Sequence, residues 1–446
     1  MSRVMHRSSK ATFPLAVSGQ GIELTLADGR TVIDASGGAA VACLGHGNRR
    51  VSQAIARQAE KLAYIHTMFF TSESAEALAE LLVGQEKGDL VNAFFVSSGS
   101  EAMEASLKLA RQYFVEKGEP ERLHFIARRQ SYHGNTFGAL AISGHAARRS
   151  IYEPMLMTNS SHVSPCFAYH YQGASETDAQ YVERLGAELE AEFQAIGPNK
   201  VIAFVAETIV GATSGCATAL PGYFTKMREV CDRHGALLIL DEIMCGMGRS
   251  GTTHAWEQEG ITPDLQAVAK GLGGGYSPIG ALLVSRKVHE VLKNGTGAFV
   301  HGHTYQAHPV ACTAALEVQR IIAEENLVDN ARAMGYVLRD ALQQRFGDHA
   351  KVGDIRGKGL FQALEFVSDR HTKTSFARTV QFSDRLKSEA LSLGLAIYPN
   401  GGTVDGSRGD HVIIAPPYNI NAQQISTIVD LLGEAVDRTV ALVPGA

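Results

Sequence analysis

The chain has 446 residues, 45% of them hydrophobic and 20% charged, with a formal net charge of -5. It is longer than one ordinary domain and points to two. The mild acidity excludes the basic footprint of a nucleic-acid binder, and apolar runs no longer than a strand exclude a membrane span. Met1 to Lys10 carries charge but no apolar stretch, so no secretory signal is expected. The cysteines at 43, 166, 216, 231, 245 and 312 have neither zinc-type spacing nor the density of a disulfide scaffold. A reducing cytoplasm is the expected compartment. The basic pairs Arg128-Arg129 and Arg148-Arg149 read as solvated faces.

In chain order, residues 22–34 alternate like a short antiparallel hairpin, with Ala27-Asp28-Gly29-Arg30 as its turn. From about Ser72 strands and helices alternate. Strands are expected at 92–97, 122–127, 201–206, 236–240, 265–269 and 279–284, and helices at 73–84, 100–117, 177–194, 222–234, 286–293 and 307–323. This α/β pattern predicts a mostly parallel sheet with helices on both faces, binding its ligand at the carboxyl ends of the strands. After Leu327 the order changes. A helix at 328–345, strands at 352–356 and 360–367, a helix at 381–393, a short strand at 395–398, an extended run at 411–415 and a final helix at 421–436 read as a smaller α+β domain. Glycines at 401, 402, 406 and 409 mark 400–410 as a loop.

Two strand ends carry the chemistry. The run Leu237 to Leu240 delivers Asp241-Glu242, and Ala267-Val268-Ala269 delivers Lys270, with glycines at 271, 273, 274 and 275 behind it. Those glycines are expected to let a ligand approach closely. An acid for a pyridinium nitrogen and a lysine for a Schiff base are what pyridoxal 5'-phosphate (PLP) requires of a protein. Upstream, a strand runs into Ser97-Ser98-Gly99-Ser100 and then a helix pattern. That arrangement offers free amides and the positive end of a helix dipole to a phosphate; Ser followed by Glu is equally a plain helix cap. Tyr132-His133-Gly134 places an aromatic, able to stack on a flat ring, beside a flexible glycine. Lys270 must be able to lose its proton near neutral pH, so partial burial should depress its pKa. Ile243, two residues past Asp241 in an extended segment, should face the ring from the other side. Glu207 ends a further strand. His301, His303 and His308 fit no common zinc spacing, so no metal is expected. The 271–275 glycines do not open a dinucleotide-type helix.

The order of Ser98-Gly99-Ser100-Glu101-Ala102, Tyr132-His133-Gly134, Ala206-Glu207, the segment Leu238 to Gly251, Lys270-Gly271-Leu272 and His301-Gly302-His303-Thr304-Tyr305 resembles the class III (ω-amino acid) aminotransferases of fold type I. The resemblance spans essentially the whole chain. It implies a large PLP-binding domain with a seven-stranded sheet at 66–324, a small domain at 325–446, and an N-terminal segment, 1–65, contributing to the small domain. It implies Lys270 and Asp241 as catalytic residues. Ser98, Gly99, Ser100, Tyr132, His133, Glu207, Ile243 and Thr304 join them as cofactor contacts. Thr304 would reach the phosphate of a neighbouring subunit, in a homodimer or dimer of dimers with shared sites. The implied reaction is a two-step, ping-pong transamination from an amine or ω-amino acid to pyruvate or another 2-oxo acid. A PLP-dependent lyase, racemase or mutase shares the same motifs. Arg408 is the candidate for the substrate carboxylate, and the small residues of 37–47 imply an open pocket wall.

Overall fold

The structure, a computed structural model, describes residues 3–84 and 87–443. At the N-terminal end β1 (Ala16–Gln20), β2 (Glu23–Leu26) and β3 (Thr31–Asp34) form an antiparallel meander. The β2–β3 turn falls at 27–30, where Asp28 Oδ1 accepts from the Arg30 amide, the local bond that makes Asp a turn former. β1 is an additional strand ahead of the expected hairpin.

There follow β4 (Leu90–Val96), β5 (His124–Arg128), β6 (Ser160–Val163), β7 (Val201–Glu207), the short pair β8 (Ile209–Val210) and β9 (Ala217–Thr218), β10 (Leu237–Asp241), β11 (Leu265–Val268) and β12 (Gly280–Ser285). Seven of these make one sheet in the order β4-β12-β11-β10-β7-β5-β6. Only β12 is antiparallel, to both of its neighbours. Both faces are buried, which explains the unbroken apolar runs. Successive residues of β10 go to opposite cores: Leu238 and Leu240 join the helices on one face, Leu237 and Ile239 those on the other. Each such buried Leu or Ile contributes about 1.5–3 kcal/mol by leaving water. β6 escapes sequence reading because Ser160-Ser161-His162-Val163 is polar and pairs only with β5 at the sheet edge.

The chain ends with β13 (Val352–Lys358), β14 (Phe361–Phe366), β15 (Leu395–Ala396), β16 (Tyr398–Gly401), β17 (Asp410–Ile414) and the helix Ala422–Ala441. The single strand expected at 395–398 is two, in different sheets. β15 pairs in parallel with β3, and β16 pairs with β17. Through this pairing Ala35, Cys43, Leu44 and Val51 share a hydrophobic core with Leu364, Ile414 and Leu432. A helix at Arg49–Lys61, capped by Asn48, was not evident from pattern because it buries little more than Val51 and Ala54. Among the described residues no helix is long and apolar enough to cross a membrane.

Candidate active site

The sheet brings three residues to one edge. Glu207 ends β7, Asp241 ends β10 in register beside it, and Lys270 follows β11 two residues beyond its last position. All three line a cavity of about 1000 Å³, together with Ser98, Gly99, Tyr132 and His133.

The carboxylates are held from several sides. Asp241 Oδ1 accepts from the Ile243 amide at 3.0 Å, and Oδ2 lies 2.9 Å from His133 Nδ1. A carboxylate can only accept, so Nδ1 carries the proton. Glu207 accepts from the amides of Tyr132 (3.1 Å) and Gly211 (2.8 Å). Burial raises its pKa above the ordinary carboxylate value. Next in sequence, Glu242 points away from the cavity and accepts from Thr208, Gln266 and the amides of Ala255 and Trp256, at 2.7–2.8 Å. Burial still pushes its pKa up to about 7 against those four donors. Glu242 thereby fixes the backbone that carries Asp241.

Lys270 behaves differently. Among the described residues its Nζ has no hydrogen-bond or ion-pair partner. Loss of water lowers its pKa from an ordinary 10.5 to about 8, the Asp241 and Glu207 charges opposing and the Arg148 charge assisting. Its backbone sits at φ +43°, in the left-handed region that a side chain occupies at a cost of about 1–3 kcal/mol. The glycines behind it serve packing more than ligand approach. A Cβ on Gly271 would lie 2.9 Å from Tyr418 Oη, and one on Gly273 2.7 Å from Ile279. Only Gly275 of the four reaches the cavity lining.

Opposite lies the helix Gly99–Glu116. Ser98 is its N-cap, accepting from the Glu101 amide at 3.2 Å. The plain-cap and anion-site readings therefore coexist: the Ser98 hydroxyl is committed to the cap, and the Gly99 and Ser100 amides have no intrahelical acceptor. Gly134, at φ +144°, closes against this turn, where a Cβ would come 2.9 Å from Ser100 Oγ. Ile243 also lines the cavity but reaches it by a turn rather than an extended segment. Its side chain packs on Gly99, whose Cβ would meet Ile243 Cδ1 at 2.7 Å.

Two further residues lie elsewhere. Thr304 is exposed and outside the cavity lining. Arg408 is exposed as well. Its Nε donates to Asp405 Oδ2 at 2.7 Å, and its loop is tied back by Gln130 Nε2, which donates to the carbonyls of Gly402 and Thr403. Of the basic pairs only Arg129 is exposed, and the other three arginines are not solvated faces. Arg128 is buried and donates to the Glu207 carbonyl. Arg149 donates to the carbonyls of Ala141 and Ser143. Arg148 lines the cavity with its guanidinium 4.4 Å from the centre of the Tyr132 ring.

The sequence pattern described as aminotransferase class-III matches residues 4–436. The chain belongs to the class III aminotransferases. It is 49% identical over 431 residues to an uncharacterized aminotransferase of Schizosaccharomyces pombe, covering 97% of this chain and 94% of that one. The omega transaminase from Pseudomonas jessenii, solved in complex with PMP, superposes with a TM-score of 0.93 at 31% identity over 100% of this chain and 98% of its own. An amine transaminase from an uncultivated Pseudomonas species, in its PLP-bound form, gives 0.92 at 32% over 98% and 99%. This class III aminotransferase accordingly has the fold-type I architecture. Sequence reasoning missed one cavity residue of consequence, Arg148, because nothing in the local run Ala146-Ala147-Arg148-Arg149 marks it as facing inward. The His133–Asp241 contact, between residues 108 positions apart, carries no local signal either.

Proposed function

We propose that this enzyme binds pyridoxal 5'-phosphate in the cavity and moves an amino group from an amine or ω-amino acid to pyruvate or another 2-oxo acid, in two ping-pong half-reactions. The observation that carries the reading is Lys270: an amine without a partner among the described residues, its pKa lowered by burial to about 8, in one cavity with a carboxylate fixed by His133. Aminotransferase relatives favour this over lyase, racemase or mutase chemistry.

The residues fit the cofactor on three counts. The Gly99 and Ser100 amides and the close approach of Gly134 suit a phosphate. Tyr132 and Ile243 offer an aromatic and an aliphatic wall to a planar ring. Asp241 offers an ionised partner to a ring nitrogen. When bound, PLP supplies an aldehyde that exchanges nitrogen and a ring that withdraws electrons. Lys270 Nζ provides the attachment amine and, once free, the base that carries a proton to and from the substrate carbon. A pKa near 8 lets it do both around neutral pH. His133 fixes the orientation of Asp241, and Glu207 fixes the Tyr132 backbone.

Residues 1–65 and 325–446 are read as one smaller domain beside 66–324, on the strength of their common core. Assembly as a homodimer or dimer of dimers, with Thr304 serving the neighbouring subunit, is supported by the exposed Met68, Phe69, Phe70, Val300 and Tyr305. Six free, buried cysteines favour the cytoplasm. The test is direct. Protein loaded with PLP is given a panel of amines with pyruvate, and alanine is measured. Alanine formed in proportion to enzyme supports the reading. No nitrogen exchange with any amine or ω-amino acid, from protein that retains PLP, overturns it.

A further inference from the structure

We infer that Arg148 is the residue that receives the carboxylate of the substrate, in the role the sequence alone offers to Arg408. The inference rests on the transaminase reading above and adds a specificity determinant to it. Three observations converge. First, Arg408 is turned away: it is exposed, paired with Asp405, and carried on a loop fastened by Gln130 and by Tyr171, whose hydroxyl donates to the Val404 carbonyl. Second, the cations lining the cavity are Lys270, Arg7 and Arg148. Arg7 is on an exposed N-terminal stretch, whereas the charge of Arg148 is felt at Lys270. Third, Arg148 is held but not satisfied. Its guanidinium lies over the Tyr132 ring at 4.4 Å, and among the described residues no carboxylate pairs with it.

A guanidinium stacked on an aromatic ring keeps its N–H donors in its own plane, free at the edge for a two-pronged bond to a carboxylate. The stacking also restricts the side chain before substrate arrives, which lowers the ordering cost of binding. The segment under Arg148 is firm. Arg149 bonds the Ala141 and Ser143 carbonyls, and the Arg408 loop backs it where a Cβ on Gly406 would lie 3.2 Å from Ala146 Cβ. The ligand class is therefore a short acid whose carboxylate lies against the Tyr132 side of the cavity while its amine or carbonyl carbon faces Lys270.

The experiment uses PLP-loaded wild type and the variants Arg148→Ala, Arg148→Lys, Arg408→Ala and Arg7→Ala. One amine donor is paired first with pyruvate and then with an uncharged aldehyde. Separately, the dissociation constant of propionate, which has neither an amine nor a keto group, is measured by calorimetry. Arg148→Ala is expected to raise the pyruvate KM and the propionate dissociation constant by about tenfold or more. The aldehyde reaction should fall much less, Arg148→Lys should recover only part of the loss, and Arg408→Ala should leave both readouts unchanged. Equal losses with pyruvate and aldehyde, without weaker propionate binding, would reduce Arg148 to a support for Tyr132 and overturn the proposal. So would a carboxylate-selective loss in Arg408→Ala or Arg7→Ala alone. If wild type transaminates nothing, the functional reading fails, and propionate binding still decides the role of Arg148.

Discussion

The floor and the rim of the cavity are built on different principles. On the floor, Glu207, Asp241 and Lys270 stand at the ends of adjacent strands, and both carboxylates accept two hydrogen bonds each. On the rim, Arg7, Ala39, Arg148 and Tyr398 arrive from four distant stretches of chain and converge only in three dimensions. The contrast assigns different work to the two regions. A floor fixed by sheet register holds reacting groups in place, and changes there should appear in turnover. A rim of separate segments can vary without disturbing the sheet, and changes there should appear in substrate choice.

The largest effect expected from breaking the floor is that of Lys270→Ala. It should retain the fold yet lose turnover altogether and lose covalently held PLP, as shown by mass spectrometry after borohydride reduction. A lysine–PLP adduct surviving in this variant would mean that another lysine is used. Asp241→Asn comes next. Without the negative charge the ring nitrogen has no partner that favours its protonation, and kcat should fall on the order of 10³-fold or more. Near-normal turnover would contradict the assigned role. His133→Phe removes the 2.9 Å contact that orients Asp241. Because Asp241 keeps its Ile243 bond, kcat should fall less than in Asp241→Asn, by about 10–100-fold. A loss as large as that of Asp241→Asn would make His133 more than a positioning residue.

Gly134→Ala sharpens the comparison from the phosphate side. A Cβ there meets Ser100 and Ala139 at a positive φ, so the variant should be destabilised by about 1–3 kcal/mol and bind PLP more weakly. Denaturant melts with and without cofactor separate the two. If neither moves, the turn is looser than described.

The same contrast explains what sequence could and could not reveal. β10 and β11 announce themselves as apolar runs ending in Asp241 and Lys270, and a strand end in an α/β sheet is where ligands bind, so fold and floor follow from local pattern. The cap at Ser98 is equally local. Arg148 is not: beside Arg149 it looks like a solvated charge, and only the path of 144–150 past Tyr132 turns it inward. Arg128 is misread for the same reason, since its burial depends on Tyr223 and Phe224, about a hundred residues away. The glycines after Lys270 look like room for a ligand and instead admit Tyr418 and Ile279. Helix Arg49–Lys61 is quiet because its buried face is nearly as small as two side chains.

The central claim is that Lys270 is a desolvated amine that loses its proton near pH 8 rather than near 10.5. The sign is definite. With the folded pKa near 8 and the unfolded one near 10.5, between those values the folded protein has released a proton that the unfolded chain keeps, so the cost of burying this amine, full below pH 8, is relieved and stability rises as pH climbs across that window. The direct measurement is the rate at which cofactor-free protein captures PLP in the presence of cyanoborohydride, followed from pH 6 to 11 with the adduct mapped by peptide. The account predicts an adduct on Lys270 whose formation rate rises with pH and levels off through an inflection near 8. An inflection near 10.5, or an adduct on a different lysine, would contradict it.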